Sequence, residues 1–243
     1  MEWFEDWFNS PYYHLLYSHR DEDEANLFMQ NLLHKLAPAA HSRILDLACG
    51  KGRHAQFMAS KGFDVIGVDL SENSIAEALM KSAPNLQFFE HDMRFPFRIN
   101  YFDYVFNLFT SFGYFDNQRD ELNTIKAIAL NLKPQGTVVI DFLNANKVLK
   151  TLDNCTESKV IEGITFEWKK SVVNECVIKA IDVIDAGVVH HYKEQVRLLE
   201  AHDFETYFTL AGLRLTAIYG DYNLTPFDVN HSERLIMLAQ KQA

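Results

Sequence analysis

Apolar and polar residues follow two different periods along this chain, and the two periods alternate. Between residues 44 and 142, short apolar runs that predict strands are separated by longer stretches with helical spacing. Strands this apolar belong to a parallel sheet covered by helices on both faces. The predicted strands are Ile44–Ala48, Val65–Leu70, Leu86–His91, Tyr104–Leu108 and a fifth strand that starts at Gly136.

The stretches between these strands have the end signals of helices. The predicted helices are about Arg53–Lys61, a helix capped by Ser71 that runs through Lys81, and Asn117–Leu132. Near the C-terminus, the predicted elements are a helix over His202–Leu210 and strands over Leu213–Tyr219 and Arg234–Ala239.

The pattern changes between Thr156 and Leu199, where apolar and polar positions alternate. This alternation predicts three or four antiparallel strands, with a turn at residues 185–187. One face of such a sheet is buried. We therefore expect an inserted sheet whose apolar face either caps the active site or pairs with a second subunit in a homodimer.

The first 37 residues predict an N-terminal arm. Helical spacing runs over residues 25–36, and a dense aromatic cluster precedes it. The arm either packs on the domain or acts as a lid over a ligand, and both interpretations stay open. We expect Tyr13, Tyr17 and Arg20 to face inward, where their polar groups can reach a carboxylate.

Charge and cysteine content narrow the functional classes. Asp and Glu number 33 against 23 Lys and Arg, so the net charge is −10. Nucleic acids and anionic membranes require a basic face, so neither is an expected partner. No apolar run approaches the ~20 residues of a membrane span, and the acidic N-terminus does not resemble a signal peptide. Three widely spaced cysteines without metal-ligand spacing predict a cytoplasmic protein with no metal site.

The stretch from Arg43 to Ala55 carries the candidate chemistry, since it reads as a strand, a glycine turn and a helix start. Gly50 and Gly52 allow a ligand to approach the backbone. One interpretation is a dinucleotide fingerprint, with Asp69 binding ribose. The other is S-adenosylmethionine. A carboxylate at Asp46 would repel a pyrophosphate but attract the ammonium group of the sulfonium compound, so it favours the second interpretation.

The residues L-D-L-A-C-G-K-G at 45–52, followed by V-I-G-V-D-L-S at 65–71, resemble the first two motifs of the class I S-adenosylmethionine-dependent methyltransferases. The resemblance is clear from Ile44 to Phe142. It implies an α/β fold with a doubly wound, mostly parallel seven-stranded sheet in the order 3-2-1-4-5-7-6. It also implies helices on both faces, an N-terminal helical lid and an inserted small antiparallel sheet.

The residue pattern, with the general layout that the resemblance implies, predicts four parts of the chain. They are an arm or lid (1–37), a cofactor-binding Rossmann-like core (38–154), the inserted sheet (155–200) and a segment that completes the core sheet (201–243).

Ligands bind at the carboxyl ends of parallel strands. We therefore expect Asp69 to bind the ribose hydroxyls, Leu70 to pack on the adenine, and Asp92 with Met93 to contact the adenine amino group. The full set of predicted cofactor-binding residues is Asp46, Ala48, Gly50, Gly52, Arg53, Asp69, Leu70, Asp92, Met93, Asn107, Leu108, Phe109, Tyr13, Tyr17 and Arg20.

The stretch from Asn107 to Phe115 indicates the methyl acceptor. It lacks the prolines of the tetrapeptide found in enzymes that methylate nucleic-acid bases, and S-F-G-Y at 111–114 resembles the loop of small-molecule N-methyltransferases. Phe109, Phe112 and Tyr114 are a predicted aromatic wall that favours a cation. Tyr114 and His191 are the candidates for a catalytic base. The predicted reaction is methyl transfer to nitrogen, or to oxygen, of a small molecule. A nicotinamide-dependent oxidoreductase and a non-catalytic S-adenosylmethionine-binding subunit are the alternatives.

Overall fold

Eleven strands and eight helices are formed by residues 2–17, 22–152 and 155–242, which are the residues that the computed structural model describes. The strands are β1 (Arg43–Leu47), β2 (Asp64–Asp69), β3 (Leu86–Glu90), β4 (Phe102–Asn107), β5 (Leu132–Leu143), β6 (Thr156–Ile161), β7 (Ile164–Val173), β8 (Cys176–Asp185), β9 (Val188–Arg197), β10 (Leu213–Tyr219) and β11 (Arg234–Lys241). The helices are α1 (Trp3–Asn9), α2 (Pro11–Leu16), α3 (Glu22–Leu36), α4 (Arg53–Ser60), α5 (Glu72–Leu79), α6 (Gln118–Asn131), α7 (Ala145–Thr151) and α8 (Ala201–Leu210).

Seven strands form the main sheet in the order β10-β11-β5-β4-β1-β2-β3. The strands from β5 to β3 are parallel, and β11 pairs antiparallel with both β5 and β10. Counted within this sheet, the order is 3-2-1-4-5-7-6, so the predicted topology is confirmed. Side chains of β1 alternate between two buried clusters, with Ile44 in one and Leu45 in the other. The sheet is therefore buried on both faces, as its apolar strands predict.

Strand β5 begins earlier than predicted, at Leu132 instead of Gly136. Leu132 pairs with Phe102, and the register then shifts before Thr137 pairs with Tyr104. Pro134 and Gly136 lie between these two pairs, and both residue types are typical of turns. The sequence therefore predicts a turn where the strand continues through an irregularity.

The second sheet is antiparallel in the order β6-β7-β8-β9, which confirms the predicted insertion. Phe166, Ile181 and Val183 are fully buried on one of its faces, where they pack with Trp7 and Leu16 of the arm. The arm of the same chain therefore covers the apolar face of the inserted sheet. A homodimer through this sheet stays a prediction, and it could not use the face that the arm covers.

Short helices α1 and α2 occupy the aromatic segment of the arm, where the resemblance implied a helical lid and the apolar spacing alone predicted no element. In the part of the chain that the structure describes, no helix is both long and apolar enough to cross a membrane.

Candidate active site

The polar groups of the core gather where the strand order reverses. β1 lies between β2 and β4, and the carboxyl ends of these three parallel strands share one edge of the sheet. Such a crevice is the usual ligand site of open α/β sheets. The loops after β1 and β4 and the N-terminal arm surround a first cavity at this edge.

The turn between β1 and α4 brings backbone to the cavity wall. Ala48, Gly50 and Gly52 have positive φ angles of 61°, 54° and 75°. A Cβ on Gly50 would meet no described atom within 4 Å, so this glycine borders open space. A Cβ on Gly52 would lie 2.4 Å from the Phe88 ring. The structure therefore requires Gly52 for packing, whereas Gly50 leaves room for a ligand.

Asp69 ends β2 and faces the first cavity. Its Oδ2 accepts a hydrogen bond from the Gly50 N–H at 2.7 Å, and its Oδ1 accepts one from the Ser71 N–H at 2.8 Å. Ser71 caps α5, as predicted, by accepting from the Ser74 N–H. Burial raises the pKa of Asp69, and backbone hydrogen bonds oppose the shift. Each carboxylate oxygen retains a lone pair for a ligand hydroxyl.

Asp46 lies on β1 beside the same turn and is 2% exposed. Its Oδ2 is buried and has no hydrogen-bond partner among the described residues. Burial raises the pKa of Asp46 to about 7, against a backbone hydrogen bond from Ala55 that lowers it. Since a buried carboxylate oxygen without a partner is unfavourable, this position fits a ligand that carries a cationic donor.

Asp92 follows β3 and also lines the cavity. The guanidinium of Arg94 holds it, with Nη2 at 2.7 Å and Nε at 2.9 Å from Oδ2. The same guanidinium lies over the Phe115 ring, 5.2 Å from its centroid. Arg94, for which the sequence predicted no role, therefore fixes the orientation of Asp92.

The loop after β4 is held in a strained conformation. Phe109 and Thr110 have φ angles of 57° and 60°, which cost on the order of 1–3 kcal/mol for residues other than glycine. Buried Asp141 accepts the Phe109 N–H at 2.8 Å, and Arg234 donates to Asp141 at 2.8 Å and to Thr110 Oγ1 at 2.9 Å. This pair sets the position of the Phe109 ring, which stacks on His54 at 4.8 Å.

The arm forms another wall of the first cavity. Phe4, Phe8 and Tyr13 line it, and Phe4 packs edge-on against Phe115 with ring centroids 5.9 Å apart. Trp7, on the same helix, is fully buried against the inserted sheet. Helix α1 thus combines the contacts of a packed arm with the position expected of a lid.

Most of the residues predicted from sequence line the first cavity. They are Tyr13, Asp46, Ala48, Gly50, Arg53, Asp69, Leu70, Asp92, Met93, Leu108, Phe109 and Tyr114. The lining also contains residues that were not predicted, namely Phe4, Phe8, Cys49, His54, Ser74, His91, Ser111 and Phe115. Each of these residues lies in the aromatic segment of the arm or next to a predicted motif. That position in the sequence is the signal that could have identified them as lining residues.

Two predicted residues of the arm and the inserted sheet lie away from the first cavity. His191 is on the exposed face of the inserted sheet, where its side chain is 76% exposed and pairs with Asp182 at 2.7 Å. Its position corrects the prediction that it acts as a base. The Tyr17 hydroxyl donates to Glu194 at 2.7 Å, so it faces the inserted sheet. Arg20, also predicted to face inward, lies outside the described residues.

Two predicted residues of the core support the cavity from behind. Asn107 is fully buried, and its Nδ2 donates to the Leu47 carbonyl at 3.1 Å and to the Ser111 carbonyl at 3.3 Å. Asn107 therefore braces the loop after β4. Phe112, predicted as part of an aromatic wall, is a fully buried core residue that packs on Phe204.

A second cavity adjoins the first. Phe8, Tyr13, Phe109, Ser111 and Tyr114 line both cavities. The remaining lining of the second cavity consists of Trp3, Thr110, Glu194, Val196 and Arg234. Sequence reasoning missed Glu194, because a polar residue in an alternating strand looks like one that faces solvent, and it missed Arg234, because its partner Asp141 is 93 positions away. Within residues 2–17, 22–152 and 155–242, no group of three or more His, Cys, Asp or Glu side chains could hold a metal ion.

The comparison with known families decides between the two cofactors. A family model described as "Methyltransferase domain" matches residues 44–136, which contain the glycine turn, Asp46, Asp69 and Asp92. The chain is a class I S-adenosylmethionine-dependent methyltransferase. Its cofactor is S-adenosylmethionine, so the nicotinamide-dependent alternative is set aside. The chain is an enzyme, which also sets aside the non-catalytic alternative.

Similar proteins cover nearly the whole methyltransferase. The chain is 29% identical to the Bacillus subtilis protein named "Putative methyltransferase YqeM" over 82% of this chain and 84% of that protein. It is 26% identical to dTDP-3-amino-3,4,6-trideoxy-alpha-D-glucopyranose N,N-dimethyltransferase of Streptomyces venezuelae, over 86% and 91% of the two chains. The fold resembles the crystal structure of an S-adenosylmethionine-dependent methyltransferase from Clostridium acetobutylicum, with a TM-score of 0.80, 20% identity and 96% of each chain covered.

Proposed function

We propose that this methyltransferase methylates the nitrogen of a small-molecule amine. The observation that carries the proposal is the second cavity, which adjoins the first and shares Phe109 and Tyr114 with it. Aromatic faces favour a cationic or partly cationic nitrogen. The net charge of −10 argues against nucleic-acid acceptors. The similarity to an amino-sugar N,N-dimethyltransferase supports an amine acceptor.

We assign the first cavity to S-adenosylmethionine. The orphaned Asp46 oxygen fits the ammonium group, and the two Asp69 oxygens fit the ribose hydroxyls. Asp92 fits the adenine amino group, and Arg53, in the first turn of α4, is placed for a carboxylate. When bound, S-adenosylmethionine supplies a methyl carbon that its sulfonium already activates.

The protein's contribution is mainly to hold the acceptor in line with that carbon. Tyr114 is the residue best placed for this, because it lines both cavities. Its hydroxyl donates to the Thr110 carbonyl, which fixes the ring where the two cavities meet. The acceptor nitrogen must be neutral when it receives the methyl group, so turnover depends on the deprotonated fraction of the amine.

Formation of S-adenosylhomocysteine with matched acceptors tests the proposal. D-glucosamine, methylamine and glycine are compared with D-glucose, methanol and glycolate, in which oxygen replaces the nitrogen. We expect turnover with at least one amine and none with its oxygen counterpart. Turnover with the oxygen compounds alone would contradict nitrogen as the target. The absence of turnover with all six, in an enzyme that binds S-adenosylmethionine by calorimetry, would contradict this class of acceptor.

A further inference from the structure

We propose that Glu194 recognises the amine group of the acceptor and that the second cavity binds this group as an aliphatic ammonium cation. The inference deepens the proposed function and rests on it. Its basis is a carboxylate that faces a cavity lined by aromatic rings, at a position far from the cofactor motifs.

Glu194 reaches the cavity from the middle of β9. Its Oε1 accepts hydrogen bonds from Trp7 Nε1 at 2.8 Å and from the Tyr17 hydroxyl at 2.7 Å, and its side chain stays 20% exposed. An ionised carboxylate offers about four lone-pair positions, so these donors leave acceptor capacity for a ligand. Trp7 and Tyr17 therefore hold the carboxylate in place and leave part of its hydrogen-bond acceptor capacity to a ligand.

The charges around the second cavity leave it attractive to a cation. Two charged side chains of the described residues line it, Glu194 and Arg234. Arg234 is neutralised by buried Asp141 at 2.8 Å. Lys179 is the cross-strand partner of Glu194, with its Nζ 3.9 Å from Glu194 Oε2, and it lines a third cavity, which Glu194 also lines, but not the second one. Glu194 is therefore the anionic side chain among the described lining residues of the second cavity, and the cationic one, Arg234, has its own counter-charge in Asp141.

Aromatic rings complete the cation site. Tyr114 contacts Trp3 and Phe8, with ring centroids 5.6 Å and 5.3 Å apart, and Phe8 contacts Tyr13 at 4.9 Å. All four line the second cavity. A carboxylate together with aromatic faces is the chemistry that binds alkylammonium ions. The bound ammonium first loses one N–H proton to water, and the neutral amine then attacks the methyl carbon as the bond from that carbon to sulfur breaks and S-adenosylhomocysteine leaves.

The Glu194→Gln variant tests this role, because glutamine keeps the size and an acceptor oxygen but removes the charge. We expect the KM for the best amine of the acceptor panel to rise about tenfold, the loss expected for one charge-assisted hydrogen bond, while kcat and the dissociation constant of S-adenosylmethionine stay within about twofold. Tyr12→Phe is the matched control. The Tyr12 hydroxyl also joins the arm to the inserted sheet, through Asp185 at 2.9 Å, but it lines none of the three cavities.

Tetramethylammonium gives a readout that is independent of the acceptor's identity. Ligand-observed NMR with saturating S-adenosylhomocysteine should detect its binding to the wild type and the Tyr12→Phe variant. The Glu194→Gln variant should bind tetramethylammonium at least about tenfold more weakly than the wild type. The control ligand is tert-butanol, which has a similar shape but carries no charge. An unchanged KM in Glu194→Gln, an equal effect of Tyr12→Phe, or no tetramethylammonium binding to the wild type would each overturn the inference. Failure of the proposed function is separate, since it appears as absent amine turnover in the wild type.

Discussion

Asp46 is a buried carboxyl group of this enzyme, and one of its two oxygens has no hydrogen-bond partner among the described residues. The neighbouring Asp69 accepts hydrogen bonds from backbone N–H groups of the glycine turn and of Ser71 at the start of α5, but Asp46 Oδ2 has no such donor among the described residues. Burial consequently raises the pKa of Asp46 to about 7. A cationic ligand group would stabilise the ionised form and return its pKa toward the ordinary range.

We expect the affinity for S-adenosylmethionine to fall as the pH drops below about 7. In our assignment the ammonium group binds the ionised Asp46, so at lower pH binding must displace a proton that the free protein holds there. The dissociation constant should rise by up to about tenfold per pH unit. Calorimetry between about pH 5.5 and 7.5 measures this change, because most of the α-amino group of the ligand stays protonated over that range.

The matched control for this pH dependence is Asp46→Asn. This variant should bind S-adenosylmethionine more weakly at about pH 7.5 but without the slope below pH 7. An identical slope in the wild type and the variant would assign the titration to another group.

At the scale of elements, a single ion pair organises the loop between β4 and α6. Asp141 is at the end of β5 and Arg234 begins β11, so the pair joins two neighbouring strands beneath the left-handed Phe109 and Thr110. Strain of this kind persists only where the surroundings fix it. The loop should therefore relax when the pair is broken, although none of its own residues changes.

Asp141→Asn should lower the free energy of unfolding by about 3 kcal/mol, because it leaves the Arg234 guanidinium without its buried counter-charge. Turnover should fall as well, since Phe109 lines both cavities. Urea unfolding and S-adenosylhomocysteine formation measure the two effects. Glu233→Gln is the control, because it breaks the exposed pair with Lys147 and should cost less than about 1 kcal/mol. Equal effects of the two variants would contradict a special role for the buried pair.

At the scale of the whole molecule, the arm, the inserted sheet and the core act as one packed body around the two cavities. Trp7 is fully buried and contacts the ring of Tyr192 with centroids 4.7 Å apart. The arm therefore contributes to stability as well as to the cavity wall. A lid that opened on its own would have to expose this tryptophan and the apolar face of the inserted sheet.

Trp7→Ala should lower the free energy of unfolding by about 3 kcal/mol, the cost of emptying a fully buried aromatic site. Thermal unfolding, followed by circular dichroism, checks the loss. Leu149→Ala, which changes a half-exposed leucine on α7, should have little effect. An unchanged melting temperature in Trp7→Ala would show that the arm opens independently of the rest of the molecule.

The sequence predicts those features of this molecule that repeat or that lie close together along the chain. Strand periodicity and the motifs around Asp46 and Asp69 are local, and they led to the sheet order and to most of the first cavity. Arg234 was missed because its partner Asp141 is 93 positions away. Glu194 was missed because the sequence of an alternating strand does not show which of its polar residues point toward a cavity and which point to solvent. That distinction requires the face that the arm covers to be known.

The contact between Trp7 and Glu194 joins residues 187 positions apart. During synthesis at about 5–20 residues per second, the aromatic arm leaves the ribosome roughly 10 to 40 seconds before the strand that covers it. Over that interval the N-terminal tryptophans and phenylalanines have no partner sheet to pack on. The second cavity is consequently among the last parts of the nascent enzyme to form, and a chain halted before β9 would carry the glycine turn after β1 without the Glu194 wall of that cavity.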